Sequence, residues 1–190
     1  MKKSILKSVA VLAVVVGSSA FVDTISKEVD VKESQVKWKG YKVTGSHYGT
    51  VALQSGSLEF TGEVLTGGEF VVDMTTLEST DLSGEYKDQL DGHLKSEDFF
   101  GVENFSTASL KITKTVQSGK NSYDATGDLT IKGKTLPINF EISVYGSKAT
   151  ANLKIDRSKY DIRYGSGSFF DNLGDKTIYD EFDLNVDLVF

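Results

Sequence analysis

Residues 136–145 read LPINFEISVY and residues 181–190 read EFDLNVDLVF, and in both stretches apolar and polar side chains alternate. Successive side chains of a β-strand point to opposite faces, so each stretch predicts a strand with one apolar and one polar face. Weaker alternation recurs from Trp38 onward and is interrupted at short intervals by turns rich in glycine and serine. Many short antiparallel strands with one polar face predict an all-β protein, either a barrel or a sandwich.

One segment departs from this period and predicts a short helix. Apolar residues recur there every four positions, with charged and amide side chains between them, at Leu82, Tyr86, Leu90 and Leu94. Thr80 or Asp81 precedes the segment and has a side chain suited to capping a helix start. We expect this helix to lie over one open end of a barrel.

The first twenty residues have the features of an export signal. A basic start precedes the apolar run VAVLAVVV at residues 9–16, and the small residues GSSA follow it. A retained membrane anchor is the alternative, but the stretch between Ile5 and Phe21 is shorter than the roughly 20 residues that span a bilayer. We therefore predict a periplasmic or secreted protein with a signal peptide (1–20), a polar and loose lead-in (21–34) and one barrel domain (35–190).

Composition and charge exclude several classes of function. The chain has 21 Lys+Arg against 27 Asp+Glu, a net charge of −6, which is the wrong sign for binding nucleic acid. It has no cysteine and only two histidines, His47 and His93. Phosphate-binding glycine loops, nucleophile elbows and zinc-protease motifs are absent from the sequence. We predict no cofactor, no metal site and no enzymatic activity, while leaving open a lipid-directed enzyme with His47 as acid or base.

Five phrases of the sequence carry a resemblance to a known family. In order they are HYGTV (47–51), GEFVVDMTTL (68–77), HLKSEDFF (93–100), GDLTIKGKT (127–135) and IDRSKYDI (155–162). Each phrase alone is weak, but their order and spacing together are specific. From about Trp38 to Phe190 the chain resembles the YceI-like family of exported lipid- or polyisoprenoid-binding proteins.

The resemblance implies an eight-stranded, antiparallel, lipocalin-like barrel with a short helix near one opening. It also implies that the lumen takes the tail of a polyisoprenoid, an isoprenoid quinone or a fatty lipid, carried or stored without chemistry. The apolar strand faces supply candidates to line this lumen: Trp38, Val43, Phe70, Val72, Leu110, Ile112, Leu129, Ile131, Phe140, Ile142, Leu184 and Val186. Candidates to contact a head group at the mouth are His47, Arg157, Tyr160 and Arg163.

Two alternatives stay open on the sequence alone. An eight-stranded barrel is just wide enough for its own side chains or for one slim ligand, so a filled barrel with a structural or interaction role is the competing interpretation. Arg157 has its own alternative, an ion pair with Asp156 or Asp161 in a structural turn. Among partners, the resemblance implies a lipid, and the sequence leaves open a homodimer and a transient contact with a membrane.

Overall fold

The computed structural model describes residues 23–190, and the predicted signal peptide lies outside them. The strands are β1 (Thr24–Glu28), β2 (Gln35–Lys42), β3 (Gly45–Thr61), β4 (Val64–Ser79), β5 (Thr107–Gln117), β6 (Ser122–Ile131), β7 (Lys134–Tyr145), β8 (Lys148–Asp156) and β9 (Ile178–Val189). A helix, α1 (Glu85–Lys95), lies between β4 and β5, and two short 3-10 turns lie between β8 and β9. Within residues 23–190 no helix has the length and hydropathy that crossing a membrane requires.

Eight of the strands form a closed antiparallel barrel. Going round the wall, the order is β2, β9, β8, β7, β6, β5, β4 and β3, and β3 pairs with β2 to complete the ring. Every neighbouring pair in the ring is antiparallel. The predicted fold class, an eight-stranded antiparallel barrel with a short helix, is confirmed.

The ninth strand, β1, lies outside this ring and corrects one expectation. It pairs with the last part of β3, from Ser57 to Thr61, whereas β2 pairs with the first part, from Gly45 to Val51. The next residue, Val29, is buried and donates its backbone N–H to the carbonyl of Gly56 at 2.8 Å. These residues of the expected loose lead-in are therefore ordered, because the second half of β3 offers a free edge for them.

One end of the barrel, here called the closed end, is packed with side chains. Leu58 and Leu65 are fully buried there, and the ring of Phe60 stacks on that of Phe190 with 5.7 Å between centroids. The ammonium group of Lys27 lies 5.0 Å from the centre of the Phe60 ring. Three short hairpin turns, β3–β4, β5–β6 and β7–β8, join the strands at this end. The closed end is an ordinary hydrophobic core.

The opposite end, here called the open end, is covered by longer connections. Residues 80–106, which include α1, join β4 to β5, and residues 157–177 join β8 to β9. Polar bonds hold α1 to the end of β4: the Asp91 carboxylate accepts the backbone N–H of Ser79 at 2.7 Å, and Lys87 Nζ lies 2.6 Å from Asp91 and 3.0 Å from Glu78. These two connections, here called the cover, are fastened by charged side chains and by buried apolar residues such as Leu94, Val102 and Ile162.

The helix begins differently from the sequence prediction. Gly84, with φ of 60°, precedes its first residue, and no side chain caps it. Neither Thr80 nor Asp81 is the cap, because the Asp81 carboxylate is bonded instead to His47 and to the backbone N–H of Tyr48. The prediction of a helix here is confirmed, and the predicted cap is wrong.

Strands β2, β3 and β4 approach one another closely at the open end. The indole Nε1 of Trp38 donates to the backbone carbonyl of Glu78 at 3.1 Å. Gly49 lies so close to the same carbonyl group that an added Cβ would overlap its oxygen. Since backbone atoms cannot move aside as a flexible side chain can, only glycine fits at this position.

Candidate ligand-binding cavity

A cavity of about 220 Å³ lies in the lumen on the side of the open end. Apolar side chains from all eight strands of the ring form its wall. The wall does not include Phe60 or Leu65, so the cavity stops short of the closed end. All but one of the lumen residues predicted from the sequence lie in it: Trp38, Phe70, Val72, Leu110, Ile112, Leu129, Ile131, Phe140, Ile142, Leu184 and Val186.

Val43 is the exception, and its prediction as a lumen residue is wrong. It lies in the turn after β2, is 49% exposed, and donates its backbone N–H to the carbonyl of Thr177 at 3.2 Å. The inward-facing residues of β2 are those in phase with Val36 and Trp38. Val43 is out of phase with them and follows the last residue of the strand, so its apolar side chain faces away from the lumen.

Sequence reasoning also missed part of the wall, namely Val36, Val51, Leu53, Met74, Leu77, Ala108, Ala151, Leu153 and Ile155. A signal for most of them existed, because they share the strand parity of predicted neighbours. Ala108 and Ala151 help to keep the cavity open, because a larger side chain at either position would project into it. These small inward-facing residues, one near the start of β5 and one in the middle of β8, are one reason why the lumen is not filled.

The helix and the residues after it form the roof of the cavity at the open end. Leu90, His93 and Leu94 of α1 line it, followed by Phe99 and Phe100. The ring of Phe99 meets the rings of its neighbours edge-on, with 5.7 Å to His93 and 5.2 Å to Phe100 between centroids. The Nε2 atom of His93 is buried and has no hydrogen-bond partner in the part of the chain that the structure describes. The roof thus combines apolar surface with one unsatisfied nitrogen.

His47 borders the cavity, and its imidazole is bonded to the protein. Its Nδ1 lies 2.8 Å from one carboxylate oxygen of Asp81, and the other oxygen accepts the backbone N–H of Tyr48 at 3.0 Å. Burial raises the pKa of Asp81, but these two hydrogen bonds outweigh burial and hold the pKa below its ordinary value of 3.8. The pair connects β3 to the segment that leads into α1, so His47 fastens the roof as well as lining the cavity.

Arg157 also borders the cavity, but its donors are used within the protein. It is 2% exposed, and it donates to three backbone carbonyl groups, those of Ile162 at 2.8 Å, Ile178 at 3.0 Å and Tyr179 at 3.2 Å. Burial lowers the pKa of its guanidinium, and Asp180, 3.5 Å away, opposes that effect. These bonds fasten the connection between β8 and β9. The geometry favours the structural alternative for Arg157, with Asp180 as the ion-pair partner instead of Asp156 or Asp161.

The two remaining head-group candidates lie away from the cavity. Tyr160 is buried in the core with no partner for its hydroxyl group, and burial raises its pKa. Arg163 is exposed, lies 3.2 Å from the Asp161 carboxylate, and has its guanidinium 4.9 Å from the centre of the Phe169 ring. The structure therefore does not bring Tyr160 or Arg163 together with His47 at the mouth.

Comparison with known proteins places this barrel in a family. Residues 28–190 match the YceI-like domain. The chain belongs to the YceI-like family. A UPF0312 protein of Vibrio parahaemolyticus is 30% identical over 154 residues, which are 77% of this chain and 76% of that protein. A UPF0312 protein of Pseudomonas putida is 28% identical over 123 residues, or 60% of each chain.

Solved structures show the same architecture. BcnA of Burkholderia cenocepacia superposes with a TM-score of 0.67 at 20% identity, over 85% of this chain and 99% of that one. A polyisoprenoid binding domain from Saccharophagus degradans superposes with a TM-score of 0.56 at 14% identity, over 85% of this chain and 95% of that one. At these identities the likeness establishes the shared fold.

Proposed function

We propose that this protein binds the apolar tail of a long-chain amphiphile in its cavity and carries or stores it outside the cytoplasm without chemistry. The amphiphile would be a polyisoprenoid, an isoprenoid quinone or a fatty lipid. The observation that carries the proposal is a cavity of about 220 Å³ with apolar wall residues from all eight strands of the barrel. Membership of the YceI-like family supports it, as does the fold shared with a domain described as polyisoprenoid binding.

Energetics favour a long tail over a short one. A buried CH₂ group contributes about 0.8 kcal/mol, so roughly ten of them contribute about 8 kcal/mol. Association costs about 4–15 kcal/mol in lost translational and rotational freedom, and the total cost falls when the site is already formed. The cavity is preformed by strands whose positions the barrel fixes, so most of the binding free energy would come from tail length.

A filled barrel with no ligand is the competing interpretation. It requires large side chains throughout the lumen, and in this structure they fill the closed end only. Ala108 and Ala151 stand in the wall where a filled barrel would need bulk. These positions support a carrier over a purely structural barrel.

Transfer of such a lipid would involve contact with a membrane, and the open end has surface suited to it. Phe169 and Phe170 are adjacent in the connection between β8 and β9, and they are 40% and 51% exposed. The same connection, residues 157–177, carries four basic and three acidic residues, which nearly balance, so aromatic side chains would dominate the contact. Replacing both phenylalanines by serine should therefore reduce co-sedimentation of the protein with phosphatidylcholine vesicles several-fold. Equal co-sedimentation of the variant and the wild type would contradict this part of the proposal.

The proposal is tested by native mass spectrometry on protein purified from its own host without detergent. We expect a stoichiometric adduct, and an organic extract of the sample should contain a matching isoprenoid or fatty species. In the variant Ala151→Phe, which fills the cavity, the adduct should be lost. The control Ala52→Phe adds the same bulk at an exposed position and should keep it. An empty wild-type protein that also refuses quinones and polyprenols would favour the filled-barrel interpretation.

The same preparation separates carriage from catalysis. A lipid-directed enzyme with His47 as acid or base would lose turnover in His47→Ala and keep its ligand. We propose instead that His47→Ala shortens ligand retention, because the bond to Asp81 that fastens the roof is lost. Products formed from the extracted lipid by wild type and not by the variant would contradict a non-enzymatic function.

A further inference from the structure

One polar atom in the cavity wall lacks the partner that buried polar atoms need. The Nε2 atom of His93 is buried, and no group within residues 23–190 forms a hydrogen bond with it. His93 itself lines the cavity from the underside of α1. Most buried polar atoms in folded proteins have a hydrogen-bond partner, so an exception of this kind requires an explanation.

The surroundings of His93 show why a ligand is the natural partner. Its ring packs edge-on against Tyr164 at 4.4 Å and Phe99 at 5.7 Å between centroids, and neither aromatic face offers a strong acceptor. Among residues 23–190, the other buried side-chain atoms without partners belong to Ser79, Tyr160 and Asp180, and none of these lines the cavity. Of these four residues, His93 is the one that can offer its unpartnered atom to a hydrogen-bonding group in the cavity.

We propose that Nε2 of His93 forms a hydrogen bond with one uncharged oxygen of the bound amphiphile, a hydroxyl, phenol or carbonyl group. This inference rests on the proposed function and adds the orientation of the ligand and the chemistry of its polar end. The oxygen lies beneath α1, and the tail extends from there toward the closed end. His93 is then a ligand-binding residue that selects lipids with a polar oxygen over pure hydrocarbons.

The nearby charges disfavour an anionic polar end beneath α1. Phosphate groups need several donors, and His93 offers a single nitrogen. The guanidinium of Arg157 is already committed to three backbone carbonyl groups and to Asp180. The other cation in the wall, Lys42, is at the end of β2, and the turn that follows leads directly to the exposed Val43. A neutral oxygen satisfies Nε2 without bringing an uncompensated charge into an apolar site.

A matched pair of ligands tests the inference. Geranylgeraniol and the C20 hydrocarbon of the same chain differ only in the hydroxyl group, and their affinities can be compared by displacement of a fluorescent fatty-acid probe. We expect wild type to prefer the alcohol by about tenfold, and His93→Phe to lose that preference by weakening alcohol binding alone. His93→Gln, which restores a hydrogen-bonding group, should recover part of it, and Tyr86→Phe on the exposed face of α1 should change nothing.

Histidine NMR gives a second readout that packing alone would not move. The chain has only two histidines, so ¹⁵N-histidine labelling yields two sets of signals, with His47 as an internal control. The His93 Nε2 signal should shift on adding the alcohol and not on adding the hydrocarbon. Equal affinity for both ligands, an unshifted His93 signal, or tighter binding of geranylgeranyl phosphate than of the alcohol would overturn the inference. Failure to bind any of the three would instead reject the proposed function.

Discussion

The two ends of the barrel are built from the same strands but differ in how the lumen is packed and how the strands are connected. At the closed end, large apolar side chains fill the lumen, and short hairpins join the strands; these side chains are Leu58, Phe60, Leu65 and Phe190. At the open end the lumen holds a cavity, and long connections cover it. The closed end is held mainly by burial, whereas at the open end polar bonds act together with buried residues such as Leu94 and Ile162 to hold the cover in place.

This difference shows how one fold can be both stable and open. Dense packing at the closed end lets the wall at the open end keep small inward side chains such as Ala108 and Ala151. The polar bonds of the cover, Lys87 with Asp91 and His47 with Asp81, are directional but individually weak. Such bonds fit a cover that has to admit a ligand.

The largest effect is expected where the open end depends on backbone contact. Gly49→Ala places a Cβ onto the carbonyl oxygen of Glu78, and neither backbone can yield without breaking the β3–β4 pairing. We expect a loss of more than about 4 kcal/mol in the free energy of unfolding, measured by urea denaturation. Gly92→Ala is the matched control: its Cβ meets nothing within 4 Å, so helix propensity predicts a gain of up to about 1 kcal/mol. A folded Gly49→Ala protein of normal stability would contradict the assigned close approach.

Truncating one phenylalanine at each end compares the two directly. Phe60→Ala at the closed end should cost about 3–5 kcal/mol, because it removes a ring packed on all sides. Phe182→Ala in the cavity wall should cost about 1–2 kcal/mol, because that ring already lacks partner atoms on its inner side. Denaturation curves of the two variants measure the difference. Equal costs would indicate that the lumen is packed alike at both ends.

Acid should loosen the cover before the closed end. Burial raises the pKa of Asp91, but its hydrogen bonds with Lys87 and with the backbone N–H of Ser79 lower the pKa below the ordinary 3.8. A carboxylate with a lowered folded-state pKa stabilises the fold above its ordinary pKa and loses that contribution as pH falls through the lowered value. The cover should therefore loosen below about pH 4.

Trp38 can report this loosening, because it is the only tryptophan and bonds the carbonyl of Glu78 beside the cover. We expect its fluorescence to change below about pH 4, before the barrel itself unfolds in acid. Asp91→Asn should show the loosened signal already at neutral pH, whereas the exposed Asp88→Asn should behave as wild type. If Asp91→Asn matched wild type across this range, the polar bonds would not be what holds the cover.

The smallest effect is expected for the residue that sequence reasoning misplaced. Val43→Ser, at an exposed turn position, should change stability by less than about 0.5 kcal/mol and leave ligand affinity unchanged. Val72→Ser, which carries the same substitution into the cavity wall, should weaken both. A clear loss of affinity in Val43→Ser, measured by the same displacement assay, would return this residue to the site.

Much of the barrel could be predicted from the sequence because strand parity is a local property. Ile142 and Val186 lie in stretches of strict alternation, and both face the lumen as predicted. The prediction for Val43 was wrong because this residue is out of phase with Val36 and Trp38 and lies just past the end of β2. The strand β1 was not predicted for a different reason. All five of its residues are exposed, so no alternation marks them, and only the free edge of β3 explains their pairing.

The polar side of the site was harder to predict, because its roles depend on long-range geometry. The sequence alone does not show that Arg157 would meet carbonyl groups some twenty residues further along the chain. Nor does it show that His93 would have a buried nitrogen beside a cavity. A buried atom can be recognised as lacking a hydrogen-bond partner only when the positions of all its neighbours are known.

The central claim is that the cavity at the open end receives an apolar tail that stops at the packed closed end. A crystal structure of the protein grown with geranylgeraniol tests it most directly. The account predicts continuous density in the lumen past Trp38 and Phe140, with the oxygen near His93 and the tail ending short of Phe60. Density bound only on the outer wall, or an empty lumen at saturating ligand, would contradict it.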